Sequence, residues 1–244
     1  MSQVIEAIVL KSFDYRDHHK IAKVLSPTVG LISVYMANAS RTKSKVRALG
    51  EPMNVMNLNV KPPQHDVEGL YYLYAGEITQ YFLTLKSDYD NIMNFYLMAE
   101  IVLKSGFEPR YAGYVYKLFK SVLDLAETGT EMKFLVMVFK LKMLPVLGIQ
   151  PVVDCCVNCG SRMSIICLSV NSGGLLCSNC LSWDEQILID SSLVNVIRGL
   201  LKAPIDELAS VEIGSEVLGV LETFTDAYYD NHSGLALKGS AFLK

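Results

Sequence analysis

Six cysteines, all that the 244-residue chain contains, lie within residues 155–180. Cys156 and Cys159 form one C-x2-C pair, Cys177 and Cys180 form a second, and 17 residues separate the two pairs. Two residues between cysteines let the chain turn so that both sulfurs face one centre, and a gap of this length is typical of a four-thiolate zinc site. Zinc prefers a tetrahedron of thiolates at about 2.3 Å. The spacing therefore predicts one zinc ion held by these four cysteines.

Four thiolates complete the coordination shell, so no position remains open for a substrate and the predicted zinc is structural rather than catalytic. The alternative is a set of disulfides or unlinked buried thiols. Disulfides are disfavoured because they belong mainly to small secreted domains, and the N-terminus lacks the features of a signal peptide. Cys155 adjoins a ligand but cannot point the same way, and Cys167 lies among apolar residues. We interpret both as bystanders to the metal.

The composition describes a folded chain with a real core. Hydrophobic residues make up 51% of the sequence and charged residues 19%. The most apolar stretch, residues 134–149, is interrupted by Lys140, Lys142 and Pro145, which predicts a buried helix rather than a membrane span. Free thiols without an export signal favour a reducing cytoplasm.

Charge is distributed unevenly along the chain. The formal net charge is −3, yet residues 1–60 carry eight basic and four acidic side chains. The first 60 residues are therefore +4 and the remainder −7. Such asymmetry predicts a module that faces a polyanion, joined to an acidic second part.

The first 80 residues alternate between short apolar strands and turns. Residues 4–11 and 31–36 are apolar and β-branched, and residues 55–60 alternate between apolar and polar. Strands at this spacing predict a small barrel or sandwich. Apolar residues then recur at helical spacing, with the cysteine region inserted among the helices. The predicted helices are 88–104 (capped by Ser87), 111–125, 130–147, 193–202 (capped by Ser191 or Ser192) and 216–230.

A basic loop, residues 37–50, lies between the predicted strands. Cations attract phosphates by charge and donate hydrogen bonds to them, although an ordinary solvated loop is the alternative. Tyr15 and Tyr35 either stack on bases or belong to the core. His18 and His19 have no partner ligands at metal-site spacing, so we assign them no metal. The predicted phosphate contacts are Arg41, Lys43, Lys45 and Arg47, followed by Lys11, Arg16 and Lys20.

Catalytic motifs are missing from the sequence. It has no GxGxxG after a strand, no Walker-type loop, no G-x-S-x-G elbow and no H-E-x-x-H or deaminase-type zinc signature. A nucleotide-modifying enzyme would need an open metal position, which four thiolates do not leave. Two hypotheses remain: a nucleic-acid-binding protein, and a zinc-stabilised adaptor that binds only proteins.

Several segments, in this order, resemble the RecO family of bacterial recombination mediators. The opening strand, the loop and the strand that ends at Gly30 are similar to the start of that family. Asn38 stands where the family usually has Gly, and Asn tolerates the left-handed conformation that such a turn needs. The remaining segments of resemblance are 39–45, 49–52, the region from 147 through the four cysteines, and the closing Leu237-Lys238-Gly239-Ser240 with Phe242 and Leu243.

The resemblance implies an α+β chain: an N-terminal OB-fold β-barrel, residues 1–80, that binds DNA, then a mostly helical domain, residues 81–244, with a zinc finger inserted at about 152–185. It also implies a mediator without enzymatic turnover. Such a protein binds single- and double-stranded DNA, anneals complementary strands and helps load recombinase onto strands coated by single-strand-binding protein. The implied partners are RecR and the C-terminal tail of single-strand-binding protein, and no membrane is among them. The implied location is the cytoplasm, at the nucleoid.

Overall fold

The computed structural model describes residues 2–44, 46–64, 69–181, 187–211 and 213–238. Within them the chain divides into two compact units, one running to Thr128 and including Lys238, the other spanning Gly129–Leu237. The predicted phosphate contact Lys45 and the closing segment 239–244 lie outside the described residues.

The first unit is built around a closed five-stranded barrel, which resolves the choice between barrel and sandwich. The strand order is β1-β2-β3-β5-β4. Neighbours are antiparallel except for β3 and β5, whose parallel pairing completes the barrel at Val34–Tyr71 and Tyr35–Tyr72. The strands are β1 (Gln3–Tyr15), β2 (His19–Ser26), β3 (Gly30–Met36), β4 (Val55–Lys61) and β5 (Tyr71–Gln80).

Alternation along each strand separates the barrel core from its outer face. On β3, Ile32, Val34 and Met36 point inward, so Tyr35 points outward. A register shift in β1 between Val9 and Lys11 changes which residues face inward along that strand. The interior is filled by aliphatic side chains: Ile5, Ala7, Val9, Ala22, Val24, Ile32, Val34, Met36, Met56, Leu58 and Val60.

Three helices complete the first unit: α1 (Leu83–Lys86), α2 (Tyr89–Ser105) and α3 (Ala112–Glu127). The cap of α2 is Asp88, whose carboxylate accepts from the Asn91 N–H, one residue after the predicted Ser87. The Tyr116 hydroxyl of α3 donates to Glu6 of β1 at 2.6 Å. Glu127 accepts from two backbone N–H groups at the start of α1. The last two sets of bonds tie α3 to the barrel and to α1.

The second unit contains α4 (Met132–Met143), α5 (Ser191–Lys202) and α6 (Ser215–His232). Helix α4 is buried on nearly all sides, as its composition predicts. Its two buried lysines have polar partners, because Lys140 bonds Asp226 and Lys142 bonds the carbonyl of Ala203. A hairpin of β6 (Ile165–Ser169) and β7 (Gly174–Cys177) lies between α4 and α5 in sequence, so the insertion of the cysteine region among helices is confirmed. None of the described helices is both long and apolar enough to cross a bilayer.

Candidate metal centre and nucleic-acid interface

The structure brings the four predicted ligands together. The sulfurs of Cys156, Cys159, Cys177 and Cys180 all lie within 4.8 Å of one another. Cys159 and Cys177 place their sulfurs 3.7 Å apart. A disulfide would require about 2.05 Å, whereas four sulfurs at about 2.3 Å from a central ion stand roughly 3.8 Å apart. The spacing fits a shared metal ion and excludes a bond between these two sulfurs.

Backbone hydrogen bonds shape the two cysteine turns. The N–H of Gly160 donates to the carbonyl of Cys156 at 2.8 Å, and the N–H of Cys180 donates to that of Cys177 at 3.0 Å. Gly160 adopts a φ of 73°, in the left-handed region that favours glycine. The Val157 N–H donates to Leu175 at 2.8 Å, which fixes the first turn against β7. The geometry therefore arises from short local turns held on one hairpin.

A close backbone approach fixes the other side of the hairpin. Val152 exchanges hydrogen bonds with Gly173 and Leu175, so its backbone runs alongside β7. A Cβ at Gly174 would collide with the carbonyl oxygen of Val152, so only glycine fits there. Cys167 is fully buried on β6 and packs beside the ligands. Neither it nor Cys155 belongs to the four-sulfur cluster, as predicted.

We call residues 152–180 the cysteine module. Side chains of helices α5 and α6 make hydrogen bonds to it. Arg198 donates through Nε to the carbonyl of Val153 at 2.6 Å and through Nη2 to that of Asp154 at 3.2 Å. On α6, Nε2 of His232 lies 2.6 Å from the carbonyl oxygen of Val170. Side chains of the two helices therefore attach the cysteine module through its backbone carbonyl groups.

The thiols differ in acidity. Burial opposes ionisation of Cys156, but hydrogen bonds from the backbone at Cys177, Cys159 and Asn158 outweigh it and lower the pKa to about 6. For Cys180, the hydrogen bond with the Cys159 thiol is the main cause, with burial, that raises the pKa to about 12. Thiolates are the ligand form, so a metal that binds here must displace protons. The donor set of four soft sulfurs fits zinc.

The basic loop is fixed against the β1–β2 hairpin. Ser40 donates from its hydroxyl to Asp14 at 2.7 Å and from its N–H to the carbonyl of His18 at 3.1 Å. Asn38 has a φ of 56°, which confirms the left-handed turn, and its N–H donates to Nδ1 of His19 at 3.1 Å. Successive turns then carry the loop to its 3-10 turn at Ala48–Gly50. Its cations Arg41, Lys43 and Arg47 are all exposed.

The remaining predicted phosphate contacts lie on or beside the hairpin. Arg16 is exposed at its tip, with the guanidinium 5.2 Å from the ring centroid of Tyr15. Lys20 is half-buried and lies 4.0 Å from Asp14. Lys11 is exposed and pairs in register with Lys23. Arg16 and Lys11 are thus exposed to solvent, whereas Lys20 lies beside the carboxylate of Asp14.

Four aromatic rings meet on the outer face of the barrel, and we call them the aromatic row: Tyr15, His19, Tyr35 and Tyr72. Tyr35 is their centre, because its ring centroid lies 6.2 Å from that of Tyr15, 5.3 Å from that of His19 and 5.0 Å from that of Tyr72. Tyr15 and Tyr35 therefore belong to the outer face rather than to the barrel interior. Neither His18 nor His19 joins a group of potential metal ligands among the described residues.

Sequence reasoning missed Tyr72. The signal was present, because the flanking Tyr71 and Leu73 are apolar positions that pack on the barrel core. Alternation along β5 then requires Tyr72 to point away from the core. The pairing that brings it to Tyr35 joins strands far apart in sequence, which no local pattern reveals.

A closed, OB-like five-stranded barrel with a basic loop, followed by helices and a four-cysteine cluster, defines the class: an OB-like module joined to a helical region with a candidate metal site. Residues 1–82 match the family described as Recombination protein O N terminal, and residues 86–241 match Recombination protein O C terminal. The chain belongs to the RecO family.

Curated relatives agree with the family assignment. The chain is 28% identical over 240 residues to the DNA repair protein RecO of Listeria monocytogenes, covering 98% of this chain and 92% of the relative. It is 27% identical over 239 residues to the protein of that name from Bacillus pumilus, with the same coverage. The Bacillus mycoides protein is 25% identical over 245 residues, covering 100% of this chain and 97% of the relative. These findings support a role in DNA repair and recombination.

Proposed function

We propose that the protein is a non-enzymatic mediator of recombinational DNA repair. In this role it binds single- and double-stranded DNA, anneals complementary strands and assists recombinase loading onto DNA coated by single-strand-binding protein. Family membership supports the repair role. The observation that carries direct DNA binding is the exposed basic loop, hydrogen-bonded to the hairpin that carries Arg16 and Tyr15.

In this proposal the barrel, residues 1–80, is the DNA-binding domain. Arg41, Lys43, Lys45 and Arg47 neutralise phosphates, and Lys11, Arg16 and Lys20 extend the cationic track. Each neutralised phosphate releases condensed counterions, which favours binding at low salt. Ser40 fixes the loop, so less conformational freedom is lost when the loop cations meet a strand.

The helical domain, residues 81–244, carries the zinc finger at about 152–185 in this proposal. A zinc ion at Cys156, Cys159, Cys177 and Cys180 would supply only structural crosslinking, since its four protein ligands leave no site for chemistry. The proposed protein partners are RecR and the C-terminal tail of single-strand-binding protein. The proposed site of action is the nucleoid, and the proposed partners include no membrane.

Fluorescence anisotropy with a labelled single-stranded oligonucleotide, titrated at several salt concentrations, tests the proposal. We expect affinity to fall steeply with salt. Replacing Arg41, Lys43, Lys45 and Arg47 together by alanine should reduce the slope of log K against log salt by about 3, since each phosphate contact on a single strand contributes roughly 0.7.

Two results would contradict parts of the proposal. An unchanged salt slope in the four-fold variant would remove the basic loop from the interface. Absence of binding to single- or double-stranded DNA even at low salt would favour the adaptor that binds only proteins. Mixing complementary oligonucleotides and following the formation of duplex then tests annealing separately from binding.

A further inference from the structure

The aromatic row lies on the outer face of the barrel, so packing of the barrel interior does not account for it. The half-buried Tyr35 is enclosed by three other rings, while Tyr72 at the edge of the row is 53% exposed. Tyr71 and Leu73 on either side of Tyr72 pack on the barrel core. Burial inside the barrel therefore does not explain the position of Tyr72, and its ring presents an accessible aromatic surface.

Cations border the row. Lys61 of β4 stands in register opposite Tyr72, and directly opposed side chains on a sheet share a face. At the other end, Arg16 lies over the ring of Tyr15. The basic loop bonds to His19, itself in the row, through the Asn38 N–H. Apolar rings bordered by cations match a ligand with planar aromatic groups on an anionic backbone.

The rings do not form one continuous stack. Tyr15 and Tyr35 are edge to face, with 85° between their planes, and Tyr35 and Tyr72 are inclined at 51°. Each ring therefore offers its face separately. His19 lies against Tyr35 with only 30° between the ring planes, which leaves Tyr72 as the member of the row most available to a planar group.

We propose that Tyr72 stacks on an unpaired base of single-stranded DNA and gives the protein a preference for single strands over duplex. Tyr35 positions Tyr72 by ring contact, and the cations hold the phosphates on either side. Bases in a duplex are already stacked on their neighbours and do not present a free face to Tyr72, whereas the phosphates of both forms reach the basic loop. This inference rests on the proposed DNA-binding function and adds base contact to it.

The test compares Tyr72→Leu with Tyr72→Phe, because phenylalanine keeps the ring and leucine removes it. We expect Tyr72→Leu to weaken binding to a single-stranded oligonucleotide by about tenfold. Tyr72→Phe should bind as the unmodified protein does. Neither variant should alter affinity for a duplex of the same length. The matched control is Tyr81→Leu, since Tyr81 is also 53% exposed but follows the opposite end of β5 from Tyr72.

A second oligonucleotide isolates the contact with the base. An abasic strand keeps its phosphates but has no base to stack, so the unmodified protein should bind it more weakly than the normal strand. Tyr72→Leu should bind the abasic strand as the unmodified protein does. This non-additivity identifies a direct interaction between Tyr72 and a base, because independent effects would multiply.

The outcomes separate this inference from the function beneath it. If the unmodified protein binds single strands but Tyr72→Leu binds them equally well, base stacking at Tyr72 is wrong and DNA binding stands. Equal losses for single strands and duplex would likewise overturn the selectivity. If the unmodified protein binds neither form of DNA, the proposed function and this inference fail together.

Discussion

Cys159 and Cys177 place their sulfurs 3.7 Å apart although 18 positions separate them in the chain. One belongs to the first cysteine turn and the other ends β7. Their separation is close to the edge of a thiolate tetrahedron around zinc and far from a disulfide. The two cysteine pairs thus meet in a geometry that suits a shared ion.

Cys177→Ser should weaken zinc binding by more than about 100-fold. Changes to residues that only support a metal ligand weaken binding by up to about that factor, and this change removes a ligand itself. It should also lower the melting temperature, since zinc binding in such a module contributes to folding free energy. Zinc content by elemental analysis and thermal unfolding measure the two effects. Cys155→Ser is the control, because Cys155 lies outside the four-sulfur cluster. Full zinc content with an unchanged melting temperature in Cys177→Ser would contradict the assignment.

Gly174→Ala should destabilise the cysteine module by about 1–3 kcal/mol, because the added Cβ meets the Val152 carbonyl and forces the backbones apart. Urea unfolding of the zinc-loaded protein measures the change. Gly199→Ala is a matched control within α5, where a Cβ meets no atom within 4 Å. That control should stabilise the helix by up to about 1 kcal/mol. Equal responses of the two variants would show that the close approach at Gly174 has no energetic consequence.

The metal centre could be predicted from the sequence because its information is local. Two residues between ligands fix each turn, and the pairs then need only one hairpin to meet. The aromatic row differs, because its central contact depends on the parallel pairing of Tyr35 with Tyr72. The same pairing closes the barrel. The sequence therefore could not decide between a barrel and a sandwich, nor whether Tyr15 and Tyr35 are stacking platforms or core residues.

Helix boundaries were predictable only to within a few residues, for two physical reasons. Several neighbouring polar side chains can accept from the free N–H groups at a helix start. At α5 the predicted caps were Ser191 or Ser192, but Asp190 takes that role, and they become the first residues of the helix. The predicted extension of α4 to residue 147 was also wrong, because the regular helix ends at Met143, two residues before Pro145.

Tyr116→Phe should destabilise the first unit by about 1.5–3 kcal/mol, because it removes a hydrogen bond to a carboxylate. Glu6 would remain beside α3 without this donor. Burial, reinforced by the bond with Glu6, raises the pKa of Tyr116 above its ordinary value, so the hydroxyl stays protonated at neutral pH. Urea unfolding measures the change. Tyr89→Phe, at an exposed ring, should have little effect, and an equal loss in both variants would contradict the argument.

Asp190 should make the stability of the second unit depend on pH in the acid range. Hydrogen bonds from the Leu193 N–H, and then from the Ser192 hydroxyl, lower the pKa of its carboxyl below its ordinary value. The folded pKa is below the unfolded one, so the stabilisation is fully present above the unfolded pKa. It is lost as pH falls through the folded value, because protonation removes the charge that those donors favour.

Asp190→Asn isolates this effect, because asparagine keeps a carbonyl oxygen that can cap α5 but does not titrate. Unfolding of both proteins by urea should be compared at neutral pH and at several acidic values below the ordinary pKa of an aspartate carboxyl. We expect the advantage of the native protein over Asp190→Asn to shrink as pH falls through that range, since other acidic groups contribute equally to both. A constant difference between the two proteins from neutral pH to the lowest value would show that the cap does not depend on the charge of Asp190.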